Sequence, residues 1–382
     1  MSKKATSTDK SRKVWTIDTT LRDGEQTPGV CFHRADKLAI AQALDDAGIN
    51  ELEVGTPIMG SRVQEDIRRI VDLGLGCRLS VWCRAHVDDL AAAARCRVAG
   101  VHFSFPVSAI HLAALNRDRT WVLSQLERLV RAARRDFDCI TIGAQDATRA
   151  DPGFLMEFAR RVKATDVQRL RLADTVGIGR PATVVQLVVK LKQAVPDLDL
   201  EFHGHNDTGM ATANALSALE AGARAVSATV NGLGERAGNT ALEQVAMALH
   251  LHPDLDCAME TKALLSLCRL VARAAGQPIA PAQPVVGQRV FAHESGIHCH
   301  AMLKDDRAYE PFAPSKAGHQ NRLYVLGAHS GTTAIRHLLG QAGIRVSARQ
   351  ARNLKLRLAG CRGLKRRQNQ PPAVDGKPFI PG

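Results

Sequence analysis

Eight short apolar runs, each followed by a segment of helical periodicity, constrain this 382-residue chain more than any other feature. The runs are VWTIDTT (14–20), NELEVGT (50–56), RLSVWCR (78–84), GVHFSFP (100–106), CITIGAQ (139–145), RLRLADT (169–175), LDLEFHG (198–204) and AVSATVN (225–231). Segments between them, such as RADKLAIAQALDDAG, TWVLSQLERLVRAARRD and PATVVQLVVKLKQAV, repeat apolar residues every three or four positions, the period of an amphipathic helix. Glycines in DDAG and LEAGARA stand where a helix C-terminus gives way to a strand. Eight strand–helix units within about 250 residues predict a (β/α)8 TIM barrel. An open, doubly wound sheet shares the alternation. The barrel is favoured by the polar, glycine-bearing strand endings, because barrel enzymes place their chemistry at the C-terminal ends of strands. Those endings are TTLRDGEQ, VGTP, GAQDATR, LADTVG, FHGHNDTG and VNGLGERAGN.

Beyond residue 275 the texture changes. GQPIAPAQPVVGQ (276–288) is Pro-rich and reads as a semi-extended linker. It leads into RVFAHESGIHCHAML, a polar loop, and a helix starting near Gly331 in HSGTTAIRHLLGQAG. The expected organisation is a disordered basic tail over 1–13, a barrel over 14–275, a linker and smaller, mainly helical subdomain over 276–359, and a disordered basic tail over 360–382.

Apolar residues make up 45% of the chain and aromatics 4%, so the core must rest on Ala, Leu, Val and Ile. The net charge of +13 would ordinarily raise nucleic acid as a partner. Residues 1–13 carry +4 and residues 349–382 carry +8, however, so the body is nearly neutral and nucleic acid is not expected. Nine cysteines with no Cys-x-x-Cys pair suggest neither a disulfide framework nor a zinc ribbon, and reduced thiols in the cytoplasm are the expectation. The N-terminus lacks an apolar signal-peptide core, and no stretch approaches the ~18 apolar residues of a membrane span.

In FHGHND, His203 and His205 occupy positions i and i+2 of a strand and face one side. They can share a metal ion, although such a pair is also found as ordinary structural or surface histidines. Asp23 at the end of the first strand offers a hard carboxylate beside the fixed cation of Arg22, although Asp-Gly also marks turns. Asn239, in the glycine loop after the eighth strand, offers an amide oxygen. In a closed barrel, strands one, seven and eight are neighbours, so the four residues converge. Two imidazoles with carboxylate and amide oxygens suit Mn²⁺, Mg²⁺, Zn²⁺ or Co²⁺.

Together, IDTTLRDGEQTPG, LADTVG, HGHND, NGLGERAGN, HESGIH and LGAHSG closely resemble the acyl-CoA-dependent Claisen-condensing metalloenzymes, the 2-isopropylmalate synthase/homocitrate synthase (DRE-TIM metallolyase) family. The resemblance spans residues 14–345. DGEQTPGVCF and HFSFPVSAIHLAALNR look like the nitrogen-fixation branch of homocitrate synthases. The resemblance implies condensation of acetyl-CoA with 2-oxoglutarate, then thioester hydrolysis, giving (R)-homocitrate and CoA. It implies a divalent metal on Asp23, His203, His205 and Asn239, an oxyanion partner in Arg22, and substrate contacts from Thr175 and Gln26. It also implies acid–base work by His298 and Tyr309, with His300 ranked lower, and a homodimer whose C-terminal region reaches the partner's active site. Arg84, His86, His102, Ser104 and Ser108 are candidates for reading the distal end of the oxo acid, where a second carboxylate would need a polar or cationic partner; each also fits a core or surface position.

Two departures stand out. Where the family pattern EDA(S/T)R has a glutamate, GAQDATR has Gln145, which can hydrogen-bond but cannot carry a proton. Either Asp146 or a water substitutes, or the enzyme is slow, or the chain is an altered, catalytically impaired metal-binding homologue. The C-terminal tail is basic and Pro/Gly-rich where family members continue as amphipathic helix. Isopropylmalate or citramalate synthesis remains an alternative. A 3-hydroxy-3-methylglutaryl-CoA lyase is disfavoured, because that family carries a cysteine in the glycine loop and NGLGERAGN has none.

Overall fold

The computed structural model describes residues 11–360. The chain divides into two compact units at Ile279/Ala280.

In the first unit, eight parallel strands close into a barrel in sequence order. They are Trp15–Asp18, Glu51–Glu53, Arg78–Arg84, Gly100–Pro106, Cys139–Gln145, Arg169–Asp174, Asp199–Gly204 and Ala225–Ala228. Every expected run thus contributes a strand; the third, fourth and fifth coincide with their runs, and the others are shortened at one or both ends. Closure is made by the first strand, which pairs with the second through Ile17↔Glu51 and with the eighth through Ile17↔Ser227. Helices follow the strands and bury apolar stripes against them. The helix Arg119–Ala133, for example, starts on Asp118, whose side chain accepts from Trp121 N, and buries Val122, Leu126, Leu129 and Val130. The core between sheet and helices is aliphatic with a few phenylalanines, among them Phe103, Phe105, Phe154, Phe158 and Phe202.

The barrel interior is not aliphatic. Glu51, Glu53, Arg169, Arg171 and Glu201 are all buried on inward-facing strand positions. Arg171 pairs with Glu53 (2.8 Å) and Glu201, and Arg169 pairs with Glu201 (2.6 Å) and Glu51 (3.1 Å). Trp15 and Ser80 add hydrogen bonds to Glu51, and Ser227 to Glu201. Buried charges survive only when paired and hydrogen-bonded, and here each is.

Part of the basic stretch expected to be a tail is ordered instead. Arg12–Lys13 form a short strand parallel to Leu255–Asp256. Arg12 donates to the carbonyls of Leu219 and Ala223 at the end of the helix Ala211–Glu220, where unpaired carbonyls attract a cation. The rest of that stretch, 1–10, and residues 361–382 of the other expected tail lie outside the described residues. No helix among the described residues is long and apolar enough to cross a membrane.

In the second unit, a two-stranded parallel pair, Ala292–His293 with Leu323–Tyr324, accompanies the helices Gly296–Met302, Thr332–Gln341 and Ala348–Gly360. The helix expected near Gly331 begins at Thr332, with Gly331 as its cap. The Pro-rich stretch is not extended. It folds on itself through Gln283 N→Ala280 O, Gly287 N→Gln283 O and Arg289 N→Pro281 O, and it buries Val286. Proline restricts φ but leaves the preceding carbonyls free to close turns.

Candidate active site

The site is built at the C-terminal end of the barrel. Strand seven delivers His203 and His205 on one side, with Gly204 facing the other way between them. A side chain at Gly204 would meet the Phe202 ring at 2.8 Å and the Thr240 hydroxyl at 3.2 Å, so only glycine lets both histidines face the mouth with the sheet backed this closely. The two imidazoles lie edge to face with centroids 5.1 Å apart. Asp23 enters from the turn after strand one, where its backbone N–H and those of Arg22 and Gly24 all donate to Thr19 O. One ligand atom from each of Asp23, His203 and His205 lies within 4.8 Å of the others. His203 Nε2 is 3.1 Å from Asp23 Oδ2.

Asn239 joins this group by bridging to His205 through the backbone. Its Nδ2 donates to Leu233 O (2.8 Å), which fixes the orientation of the amide and leaves its oxygen free of that bond. Gly234 leaves the space that amide occupies: a Cβ there would come within 2.3 Å of Asn239 Nδ2. The buried Nδ1 atoms of His203 and His205 and Oδ1 of Asn239 have no hydrogen-bond partner. Buried polar atoms are nearly always satisfied. Orphaned donors beside a carboxylate are what a divalent-ion site with nitrogen and oxygen ligands requires. The residues present therefore fit the metal.

Electrostatics agree with that use. Burial works against the Asp23 carboxylate, but Arg22 and the His203 imidazole hold its pKa well below the usual range. Burial, reinforced by His203, pushes His205 down to about 4, so its ring stays neutral and able to ligate.

Arg22 is gripped on two sides. Nη1 donates to Asp23 Oδ2 (2.8 Å) and Nε to Glu53, while the guanidinium lies 5.6 Å over the Trp82 ring. Its Nη2 has no protein partner among the described residues and can take an oxygen in the mouth. Glu53 in turn accepts from Arg171, so the interior ionic network continues into the site. The sequence reading missed Glu53. Its signal was present: acidic and basic residues at i and i+2 in otherwise apolar strands, in Glu51/Glu53 and Arg169/Arg171.

Thr175, after strand six, accepts from Asp146 N (2.8 Å) and keeps its hydroxyl hydrogen for another acceptor. Arg236, also unforeseen, donates to Thr175 O (2.8 Å) and grips Asp207 with two nitrogens, lacing the loops after strands six, seven and eight. Gln145 ends strand five, half-buried, with no side-chain hydrogen bond among the described residues. Asp146 does not replace it. It is fully buried in a left-handed conformation (φ 63°), and its carboxylate is taken by Ser108 and by Arg149 at 2.8–3.0 Å.

Ser108 is likewise a structural group, binding Asp146 and capping the helix Ala109–Ala114. Arg84 is held by the buried Asp89 (2.8 Å). His86 is exposed and caps the helix Val87–Ala94 through Asp88 N. His102 is buried with Nδ1 2.9 Å from Thr141 Oγ1, and burial together with Arg171 keeps its pKa well below the ordinary value, hence neutral. Ser104 lies one inward-facing position further on and is half-buried. Gln26 is exposed, three residues past Asp23. In the second unit, His298 and Tyr309 stack, with ring centroids 3.9 Å apart and planes 25° from parallel. His300 instead approaches Thr333 (3.3 Å).

Comparison with known proteins is consistent with this arrangement. Residues 13–271 match the family described as HMGL-like, and residues 285–366 match the homocitrate synthase post-HMGL domain-like family. A 2-isopropylmalate synthase from Caldanaerobacter subterraneus subsp. tengcongensis is 44% identical, over 91% of this chain and 90% of its own. A homocitrate synthase from Frankia alni is also 44% identical, over 85% and 93%. The HMG-CoA lyase of Bacillus subtilis, 20% identical, superposes with a TM-score of 0.63 over 70% of this chain and 95% of its own, a likeness of fold.

Proposed function

The chain belongs to the HMGL-like family, and from that premise we propose that it is a metal-dependent homocitrate synthase joining acetyl-CoA to 2-oxoglutarate. Its synthase relatives are acyltransferases that convert the acyl group to an alkyl group on transfer, and the chain is an enzyme of that type. The observation that carries the reading is the buried Asp23–His203–His205 cluster with the orphaned Asn239 oxygen, placed beside the part-engaged Arg22 guanidinium. A divalent ion held by these four residues would act as a Lewis acid toward the 2-oxo-carboxylate.

The chain's own groups do the rest. Thr175 donates to the substrate carboxylate. Arg22 Nη2 faces the ketone oxygen and stabilises the charge that gathers there. The His298–Tyr309 pair takes one proton from the acetyl methyl group. The new carbon–carbon bond moves the carbonyl electron pair onto the ketone oxygen, which is then protonated to the tertiary alcohol. Water adds to the thioester and CoA leaves as the thiol. Ser104 and His102 are the residues assigned to the distal end of the oxo acid, and their polar character supports a second carboxylate over a branched alkyl group, while Gln145 stands at the acid–base position. Gln26 belongs to the same substrate set. The homodimer with its exchanged C-terminal region, the division of the chain near residue 275, the cytoplasmic location and the link to nitrogen fixation belong to this reading as well.

The test is thiol release from acetyl-CoA with 2-oxoglutarate, 2-oxoisovalerate and pyruvate, on metal-stripped protein and after adding Mn²⁺ or Mg²⁺. The expected result is metal-dependent release, fastest with 2-oxoglutarate. Preference for 2-oxoisovalerate or pyruvate would make the chain an isopropylmalate or citramalate synthase, a reading supported by the equally similar isopropylmalate synthase. No release with any acid would favour the impaired metal-binding homologue to which Gln145 points.

A further inference from the structure

We infer that Glu310 is a positioning residue that sets the geometry of the His298–Tyr309 pair, an assignment that rests on the acid–base reading above. The two rings stack although both residues are exposed, so core burial does not hold them together. Each sits on a short element. His298 lies on the two-turn helix Gly296–Met302, which follows the strand Ala292–His293. Tyr309 ends the single turn Asp306–Ala308. Short isolated elements of this kind have little stability of their own, so something else must fix them.

Glu310, the residue after Tyr309, is buried. Its Oε2 accepts from Arg322 Nε (2.7 Å), and its Oε1 lies 3.2 Å from His293 Nε2. Arg322 immediately precedes Leu323–Tyr324, the strand paired with Ala292–His293. Arg322 also donates from Nη2 to Asp306, the first residue of the turn that ends in Tyr309. One carboxylate therefore joins the strand that feeds the His298 helix, the strand beside it, and the segment carrying Tyr309. Asp306 and Glu310 clamp Tyr309 from both sides through one guanidinium. The hydrogen bonds of Glu310 go to His293 and Arg322 and none goes to either ring, so it acts through the pair. Charge-assisted bonds to a planar guanidinium are directional as well as strong, which suits a group whose task is to fix an angle.

The test uses the full-length, metal-loaded protein and a cycle of Glu310→Ala, Tyr309→Phe and the double variant, read as kcat and KM in the thiol-release assay. Glu310→Ala is expected to lower kcat by roughly tenfold or more, as a small misplacement of a reacting group does. The KM for the oxo acid should stay within about twofold, and the double variant should be no slower than Tyr309→Phe alone within about twofold. Glu310→Gln keeps the size and one acceptor oxygen, which can still take the Arg322 Nε–H, and should recover part of kcat. It also serves in the same cycle if the alanine variant does not fold. Unchanged kcat in the Glu310 variants, or a loss that multiplies fully with that of Tyr309→Phe, overturns the positioning role and leaves the acid–base reading standing. Unchanged kcat in Tyr309→Phe overturns the acid–base reading and this inference with it.

Discussion

Gln145 is the residue on which the chemistry of this chain turns. An amide at the end of strand five cannot exchange a proton, and the neighbouring Asp146 is bound on both oxygens by Ser108 and Arg149. On the proposed reading, the proton work then falls to His298, Tyr309 and water. Gln145→Glu should raise kcat in the thiol-release assay, and an unchanged or lower value would remove Gln145 as the limiting feature. Gly234 matters for a steric reason. Its replacement by alanine puts a carbon where the Asn239 amide lies and should weaken Mn²⁺ binding by about tenfold or more, the usual cost of disturbing the support of a metal ligand. Titration calorimetry on metal-stripped protein checks this without any turnover.

Among the elements, the barrel strands carry an unusual load. Their inward positions hold ions rather than aliphatic side chains, and the three glutamates and two arginines of the strands meet Arg22 at the upper end of the network. Burial alone would raise the Glu53 pKa, but Arg171 and Arg22 bring it from 4.5 to about 2. A group whose folded pKa is depressed adds stability above its unfolded pKa and loses that contribution as pH falls through the folded value. Stability from Glu53 should therefore be complete above about pH 5 and decline toward pH 2. Glu53→Gln should cost about 3 kcal/mol at neutral pH, because it leaves buried guanidinium charge unbalanced. It should also flatten the acid decline in urea unfolding curves measured across that range, and an unaltered acid decline would count against the assignment.

At the scale of the molecule, the proposed metal ligands come from three different strands or the turns after them, so binding of an ion there would be coupled to closure of the barrel. An ion that binds only the folded barrel stabilises it by mass action, by about 2.7 kcal/mol at a hundred times its Kd. Mn²⁺ should raise the unfolding midpoint of the metal-stripped protein in calorimetry. The rise should disappear in His203→Ala, and its persistence there would place the ion elsewhere.

Much of this organisation was legible in the amino-acid order. Each of the eight apolar runs holds a barrel strand, because alternation and helical periodicity are local properties, and the boundaries erred by at most three residues at run ends. His203 and His205 were legible together because they lie two residues apart across the end of one strand, and Asp23 and Asn239 because strand order places their loops side by side. Other features required the tertiary structure. Arg171 meets Glu53 across 118 residues of sequence, and no local pattern specifies which opposite charge a buried one will find. Asp146 and Ser108 looked like candidates for chemistry and became scaffold once folding brought them within bonding distance of each other. The Pro-rich stretch looked extended until its own backbone closed it into turns. The sequence by itself determined the barrel and the types of donor at its mouth, through periodicity and side-chain chemistry. Which donors stay free for a ligand, and which are consumed by neighbours, was decided by the tertiary structure alone, because satisfaction of a buried polar group depends on contacts between residues far apart in the chain.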